Sequence, residues 1–94
     1  MPQFQAPAKF APGHIRITAN AARQLSGQDV AIALRRHLCG DWGDLTFSDR
    51  QQNERALRHQ CRLFSAYRSA RGQRFYVITE PDKSATTLLL PEDY

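Results

Sequence analysis

The hydrophobic pattern of the chain changes its period near residue 60, and this change limits the possible folds more than any other feature. Before it, apolar side chains such as Val30, Leu34 and Leu38 recur at the spacing of an amphipathic helix. After it, apolar and polar side chains alternate, as they do in strands with one covered face. Helices followed by a run of strands predict an α+β domain with the helices on one face of a sheet.

The alternating part of the chain divides into three predicted strands with short connections. They are CRLFSAYRS at 61–69, RFYVIT at 74–79 and TTLLL at 86–90. Short connections favour an antiparallel meander. GHIRIT at 13–18 predicts one more short strand, so we expect a three- to four-stranded antiparallel sheet. In the first segment Leu63, Ser65 and Tyr67 share one face, which we predict to be covered by the helices.

Three helices are predicted from capping residues. Their expected ranges are 19–25 after Thr18, from Ser26 to about Cys39, and 49–60 after Ser48. The second helix should end at Gly40, because glycine adopts the left-handed backbone conformation that commonly follows a helix. Ser48 and Gln51 have the spacing of a capping box.

The length and composition of the chain favour one soluble domain. Residues 1–12 hold three of the five prolines and no periodic pattern, which predicts a flexible tail before a domain at 13–94. No segment has the roughly 18 apolar residues of a membrane span, and no signal peptide is evident, so we expect a cytoplasmic protein. Two cysteines are too few for a disulfide scaffold, and we expect both to be buried thiols.

Positive charge is concentrated in the second half of the chain. The net charge is +4, but residues 50–76 contain seven arginines and a single acid, Glu54, and therefore carry +6. Arginine pairs well with phosphate and carboxylate and stacks on planar groups. The expected partner is an acidic protein surface or a nucleic acid. The candidate binding residues are Arg55, Arg58, Arg62, Arg68, Arg74 and Tyr67, together with Asp41 and Asp44.

The loop CGDWGDLTF at 39–47 places the only tryptophan between two glycines. Gly40 and Gly43 allow tight turns, so we predict that Trp42 packs inward and anchors the loop. Asp41 and Asp44 can accept amide hydrogen bonds in such turns. The alternative is an exposed ligand-binding loop.

Three motifs give the chain a resemblance to a known family. They are H-x-x-G-D-W-G-x-L at 37–45, V-I-T-E-x-D-x-S-x-T-T at 77–87 and L-L-P-x-x-Y at 89–94. Together they resemble a family of small uncharacterised bacterial proteins labelled plasmid-related proteins. The resemblance implies a bacterial host and an accessory role linked to plasmids or other mobile elements.

The sequence favours a binding or regulatory protein over an enzyme. The pairs His37-x-Cys39 and His59-x-Cys61 lack the spacing of structural zinc sites, so no metal is predicted. No phosphate-binding glycine loop or nucleophile elbow is present, and no cofactor is expected. One alternative is a toxin with the RelE/ParE-like layout. In it Arg62, Arg68 and Arg74 would hold phosphate, and Tyr67, Tyr76 or His59 would stack or transfer protons.

Overall fold

The computed structural model describes residues 7 to 94 as three helices packed with a four-stranded mixed sheet, which confirms the predicted α+β class. The elements in chain order are β1 His14–Ile17, α1 Ala19–Gln24, α2 Gly27–Leu38, α3 Phe47–Ala56, β2 Leu63–Arg68, β3 Arg74–Thr79, β4 Ala85–Leu89 and a 3-10 turn at Pro91–Asp93. Within these residues no helix has the length and apolar content needed to cross a lipid bilayer.

The strands lie in the order β1-β4-β3-β2. The last three strands form the predicted antiparallel meander, with Leu63 opposite Thr79 and Arg68 opposite Arg74. β1 is parallel to β4, so the sheet is not antiparallel throughout. Residues 18–84, which include all three helices and two strands, connect β1 to β4. A connection of that length permits the parallel direction that a hairpin forbids.

Capping interactions fix both ends of α2. Ser26 Oγ accepts a hydrogen bond from the Asp29 amide at 3.0 Å, as its position predicts. At the other end Gly40 has φ +83°, and its amide donates to the His37 carbonyl. The Asp41 amide donates to the Arg36 carbonyl at 2.9 Å. This pair of bonds is a Schellman motif, which satisfies carbonyls that the helix end leaves free.

α3 begins earlier and ends earlier than predicted. Thr46, rather than Ser48, is the N-cap, and its hydroxyl accepts from the Asp49 amide at 3.1 Å. The helix ends at Ala56 because the chain must turn back to enter β2, and Leu57 packs beside the tryptophan instead of continuing an exposed helix.

Two apolar clusters lie on the helix side of the sheet. The larger joins α1 and α2 to the strands and contains Ala21, Leu25, Ala33, Tyr67, Phe75, Val77, Leu88 and Leu90. The smaller contains Trp42, Ala56 and Leu63, with Phe10, Leu45 and Leu57 packed against them. Tyr67 and Leu63 thus lie on the covered face, as the alternation predicts.

Residues 9–12 contact the domain, although the sequence assigns them to the flexible tail; residues 1–6 of that tail lie outside the described residues. The Lys9 amide donates to the Leu38 carbonyl at 2.7 Å, beside the end of α2. The Phe10 ring packs edge-on against His37. Burial of the apolar Phe10 side chain favours packing of this segment against the core.

A chain of hydrogen bonds runs through the interior. Thr86 donates to the Pro12 carbonyl at 2.8 Å, so the contact between the Thr79 and Thr86 hydroxyls at 2.7 Å must use the Thr79 proton. Thr79 then accepts from His37 Nε2 at 2.9 Å, and Ser65 donates to Nδ1 at 2.5 Å. The network holds the imidazole neutral and joins α2 to β2, β3, β4 and the N-terminal segment.

Candidate functional site

Trp42 is an internal anchor, as its position between two glycines predicts. Its side chain is 4 % exposed and packs with Ala56 and Leu63. The indole N–H donates to Glu54 Oε2 at 2.8 Å. This bond ties the loop to α3 and leaves the ring inaccessible to a ligand.

The tryptophan loop lies along the outer edge of β2. Gly43 forms a parallel bridge with Ala66, whose amide donates to the Trp42 carbonyl and whose carbonyl accepts from the Asp44 amide. Gly43 has φ +77°, and a Cβ there would lie 2.1 Å from the Ala66 carbonyl oxygen. The loop therefore covers the edge of the sheet and needs glycine at this point.

Asp41 and Tyr67, both predicted to bind a partner, make hydrogen bonds within the protein, Asp41 at the surface and Tyr67 in the core. Asp41 pairs with the Arg36 guanidinium through bonds of 2.7 and 3.1 Å, which lowers the pKa of the carboxyl, and it accepts from the Gly43 amide. The Tyr67 hydroxyl donates to the Asp41 carbonyl at 2.6 Å, and burial raises its pKa. Tyr67 lies on the covered face, where a ligand on the other face cannot reach it.

Three aromatic rings lie on the opposite, open face of the sheet. Phe64 on β2 and Tyr76 on β3 have ring centroids 4.8 Å apart. Tyr94 lies 6.2 Å from Phe64 and 6.1 Å from Tyr76, and it is 65 % exposed. The sequence pattern predicts no binding role for Phe64 or Tyr94. Phe64 shares its face of β2 with Arg62 and Arg68, which is the signal that could have found it.

α3 lies beside this aromatic face and is fixed there by Asn53. The Asn53 side chain donates to the Phe64 carbonyl at 2.6 Å and accepts from the Phe64 amide at 3.1 Å. Residues three and four apart share a helix face, so Asp49 and Ala56 point to the same side as Asn53. Gln52 lies three residues after Asp49 and four before Ala56, on the adjoining exposed side of the helix. The paired amide also satisfies backbone groups that edge strand β2 would otherwise leave free.

α3 and the open face enclose a cleft of about 650 Å³. Its lining residues are Leu45, Asp49, Gln52, Asn53, Arg55, Ala56, His59, Cys61, Arg62, Phe64, Tyr76 and Tyr94. We call this space the aromatic cleft. Its volume lies in the range of ordinary ligand sites. Cys61 is exposed here, contrary to the predicted buried thiol, because it precedes β2 outside the packed core.

Arginines lie at and beside the aromatic cleft. Arg55 and Arg62 line it, and Arg62 donates to the Tyr94 hydroxyl at 2.8 Å with its guanidinium 5.7 Å from the ring centroid. Arg74 lies 5.7 Å from the Tyr76 ring centroid, on the same face. The open side of the cleft is therefore basic.

Asp44 lies between Arg74 and a further arginine on the same face, Arg68. Its Oδ2 lies 3.6 Å from Arg68 Nε and 3.3 Å from Arg74 Nη1, across directly paired positions of β2 and β3. Both pairs are exposed, so they contribute little stability. Arg58 follows the end of α3 and does not line the cleft. Four of the five predicted arginines thus lie at the cleft or on the strand face that continues it.

The histidines separate into different environments. His37 is fully buried, and burial lowers its pKa from 6.5 to about 4. His59 lines the cleft. Among residues 7–94 no three His, Cys, Asp or Glu side chains lie together in a group that could hold a metal ion.

Comparisons of the chain with protein families, with curated proteins and with solved structures give no match. The geometry of the aromatic cleft is therefore the basis for a functional argument.

Proposed function

We propose that the protein is a non-enzymatic binding factor that takes single-stranded nucleic acid in the aromatic cleft. The observation that carries the proposal is the placement of Phe64, Tyr76 and Tyr94 together on an open sheet face flanked by arginines. Aromatic rings stack on unpaired bases, and guanidinium groups contact the phosphates between them.

The sheet face that carries Arg62 and Arg68 is long enough for a short segment of single-stranded nucleic acid. Arg68 lies six positions after Arg62, which at a rise of about 3.3 Å per residue corresponds to about 20 Å. At roughly 3.4 Å per stacked nucleotide, that distance spans about six nucleotides. Several bases can therefore lie along the face while the backbone passes the arginines.

A single strand fits this surface better than a duplex. Bases within a duplex are stacked on one another, and their faces cannot reach rings lying in a cleft. The open face presents strands and aromatic rings, whereas duplex readers commonly insert a helix into the major groove.

The resemblance of the sequence motifs to plasmid-related proteins supports a proposal for the cellular setting. We propose that the chain serves a plasmid or another mobile element, whose transfer and replication expose single strands. The two competing hypotheses, an acidic protein partner and a RelE/ParE-like ribonuclease toxin, predict different outcomes in the experiment below.

The test is fluorescence anisotropy with labelled 12-nucleotide single strands of DNA and RNA, between 50 and 200 mM salt. We expect affinity to fall linearly with the logarithm of salt concentration, with a slope that Arg62→Ala reduces by about 0.7. Tyr94→Ala should weaken binding by about 1 to 3 kcal/mol through loss of stacking. The control is Arg23→Ala, which also removes one positive charge but lies on α1, outside the cleft. It should leave unchanged the part of the affinity that Tyr94→Ala removes.

Absence of binding to every strand at 50 mM salt would overturn the proposal and favour an acidic protein partner. Shortening of the RNA during incubation would favour the toxin instead. Binding that Arg62→Ala and Tyr94→Ala leave unchanged would place the interface elsewhere on the protein.

A further inference from the structure

The aromatic cleft contains a carboxylate that a surface made only for phosphate would avoid. Asp49 is the only acidic residue of the described chain that lines the cleft, beside Arg55 and Arg62. Close to a polyanion its negative charge is unfavourable unless it faces hydrogen-bond donors. In a bound DNA strand the donors are on the edges of the bases, and RNA adds its 2′-hydroxyl groups.

Asp49 has the position of a base-contacting group. It lies in the first turn of α3, and its amide, not its carboxylate, is used by the Thr46 cap. Gln52 lies three residues further along, on the same side of the helix. Within residues 7–94, neither side chain makes a hydrogen bond or ion pair. Both side chains line the cleft and are exposed, so a ligand that enters it can reach their hydrogen-bonding atoms.

The chemistry of this pair distinguishes the bases. A carboxylate only accepts hydrogen bonds and can accept two at once, whereas the glutamine amide can also donate. Guanine presents two adjacent donors, N1–H and N2–H, followed by the O6 acceptor. Adenine and cytosine each place a ring-nitrogen acceptor beside their amino group, and thymine or uracil places carbonyls on both sides of its single N–H. A carboxylate beside those acceptors would be repelled.

We propose that the aromatic cleft selects an unpaired guanine. The base stacks on the exposed ring of Tyr94, Asp49 accepts from N1–H and N2–H, and Gln52 donates to O6. This inference rests on the proposed single-strand function and deepens it by naming the base. It makes Asp49 and Gln52 specificity residues, and Arg55 and Arg62 the residues that hold the adjoining phosphates.

The test compares 12-nucleotide oligothymidine strands that carry one central guanine, hypoxanthine, adenine or cytosine, with unmodified oligothymidine as the reference. We expect guanine to bind about 5- to 160-fold more tightly than adenine or cytosine, the value of one good bidentate base contact. Hypoxanthine lacks the 2-amino group and should lose part of the gain. Asp49→Asn should abolish the preference without weakening the binding of oligothymidine, since it removes a negative charge.

Glu80→Gln is the matched control, because it removes one negative charge outside the cleft. It should leave the guanine preference intact. Gln52→Ala, at an exposed helical position, should reduce the preference and provides a second variant if Asp49→Asn alters the fold. Circular dichroism of each variant checks the helix content.

The two proposals fail in different ways. Equal affinity for all five strands would overturn the guanine inference and leave single-strand binding standing. A guanine preference that survives both Asp49→Asn and Gln52→Ala would also overturn it, because other groups would then read the base. Failure to bind any strand would remove the function on which the inference rests.

Discussion

At the scale of single residues, glycine at position 43 decides how closely the tryptophan loop approaches β2. Gly43 and Gly72 both have positive φ, at +77° and +85°. A Cβ at Gly43 would meet the Ala66 carbonyl oxygen at 2.1 Å, whereas a Cβ at Gly72 has open space around it. The pair separates the effect of backbone conformation from the effect of close packing.

Alanine substitution at the two glycines should therefore have unequal effects. Gly72→Ala should cost about 1 to 2 kcal/mol of unfolding free energy, the cost of a left-handed alanine. Gly43→Ala should cost about 2 to 5 kcal/mol, because a steric clash adds to that strain. Urea unfolding of both variants measures the difference. Equal losses would show that the loop can move away from β2 at no cost.

The sequence predicts the environment of a residue better than its role. The paired glycines and the lone indole predict that Trp42 is buried, and it is. Alternation along β2 predicts that Tyr67 lies on the covered face, whereas its residue type suggests a contact with a partner. Tyr67 is buried in the structure, which favours the first interpretation. Tyr94 follows the last strand, and only the fold shows that it lies beside Phe64 and Tyr76.

At the scale of elements, the start of α3 shows how tertiary contacts choose between local signals. Thr46 and Ser48 are both good capping residues, and the Gln51 spacing favours Ser48. The bonds from Glu54 to the indole and from Asn53 to β2 fix the rotation of the helix, and Thr46 then occupies the cap. Similarly, the pairing of β1 with β4 joins distant parts of the chain and has no local signal.

Thr46→Ala should destabilise the protein by about 1 kcal/mol, because the Asp49 amide loses its hydrogen-bond partner. Ser48→Ala is the matched control. Ser48 lies within the helix and is exposed, so its loss should change stability by less than about 0.5 kcal/mol. Thermal or urea unfolding of the two variants provides the comparison. A larger loss for Ser48→Ala would mean that the helix starts where the capping box predicts.

At the scale of the whole molecule, the buried network at His37 makes folding depend on pH. The imidazole is fully buried between Ser65 and Thr79, and its neutral form satisfies both hydroxyls. Burial lowers its pKa from 6.5 to about 4, so the unfolded chain binds this proton more readily than the folded chain. Stability from this group is therefore complete above pH 6.5 and is lost as the pH falls toward 4.

The loss should amount to about 3 kcal/mol, since each pKa unit corresponds to about 1.4 kcal/mol. Asp41 contributes at lower pH, because the hydrogen bonds from Arg36 reduce the pKa of its carboxyl from 3.8, and its stabilisation is lost only below that value.

Urea unfolding at half-unit steps from pH 4 to 8 measures how the unfolding free energy of the wild type depends on pH. His37→Gln, which keeps a donor for Thr79 but has no titrating group, should flatten the curve between pH 6.5 and 4. Constant stability of the wild type between pH 6.5 and 4 would contradict this prediction. The buried imidazole would then have to accept a proton in the folded state, with the Ser65 hydroxyl turned to accept from Nδ1–H. In that case the network would not hold the histidine neutral.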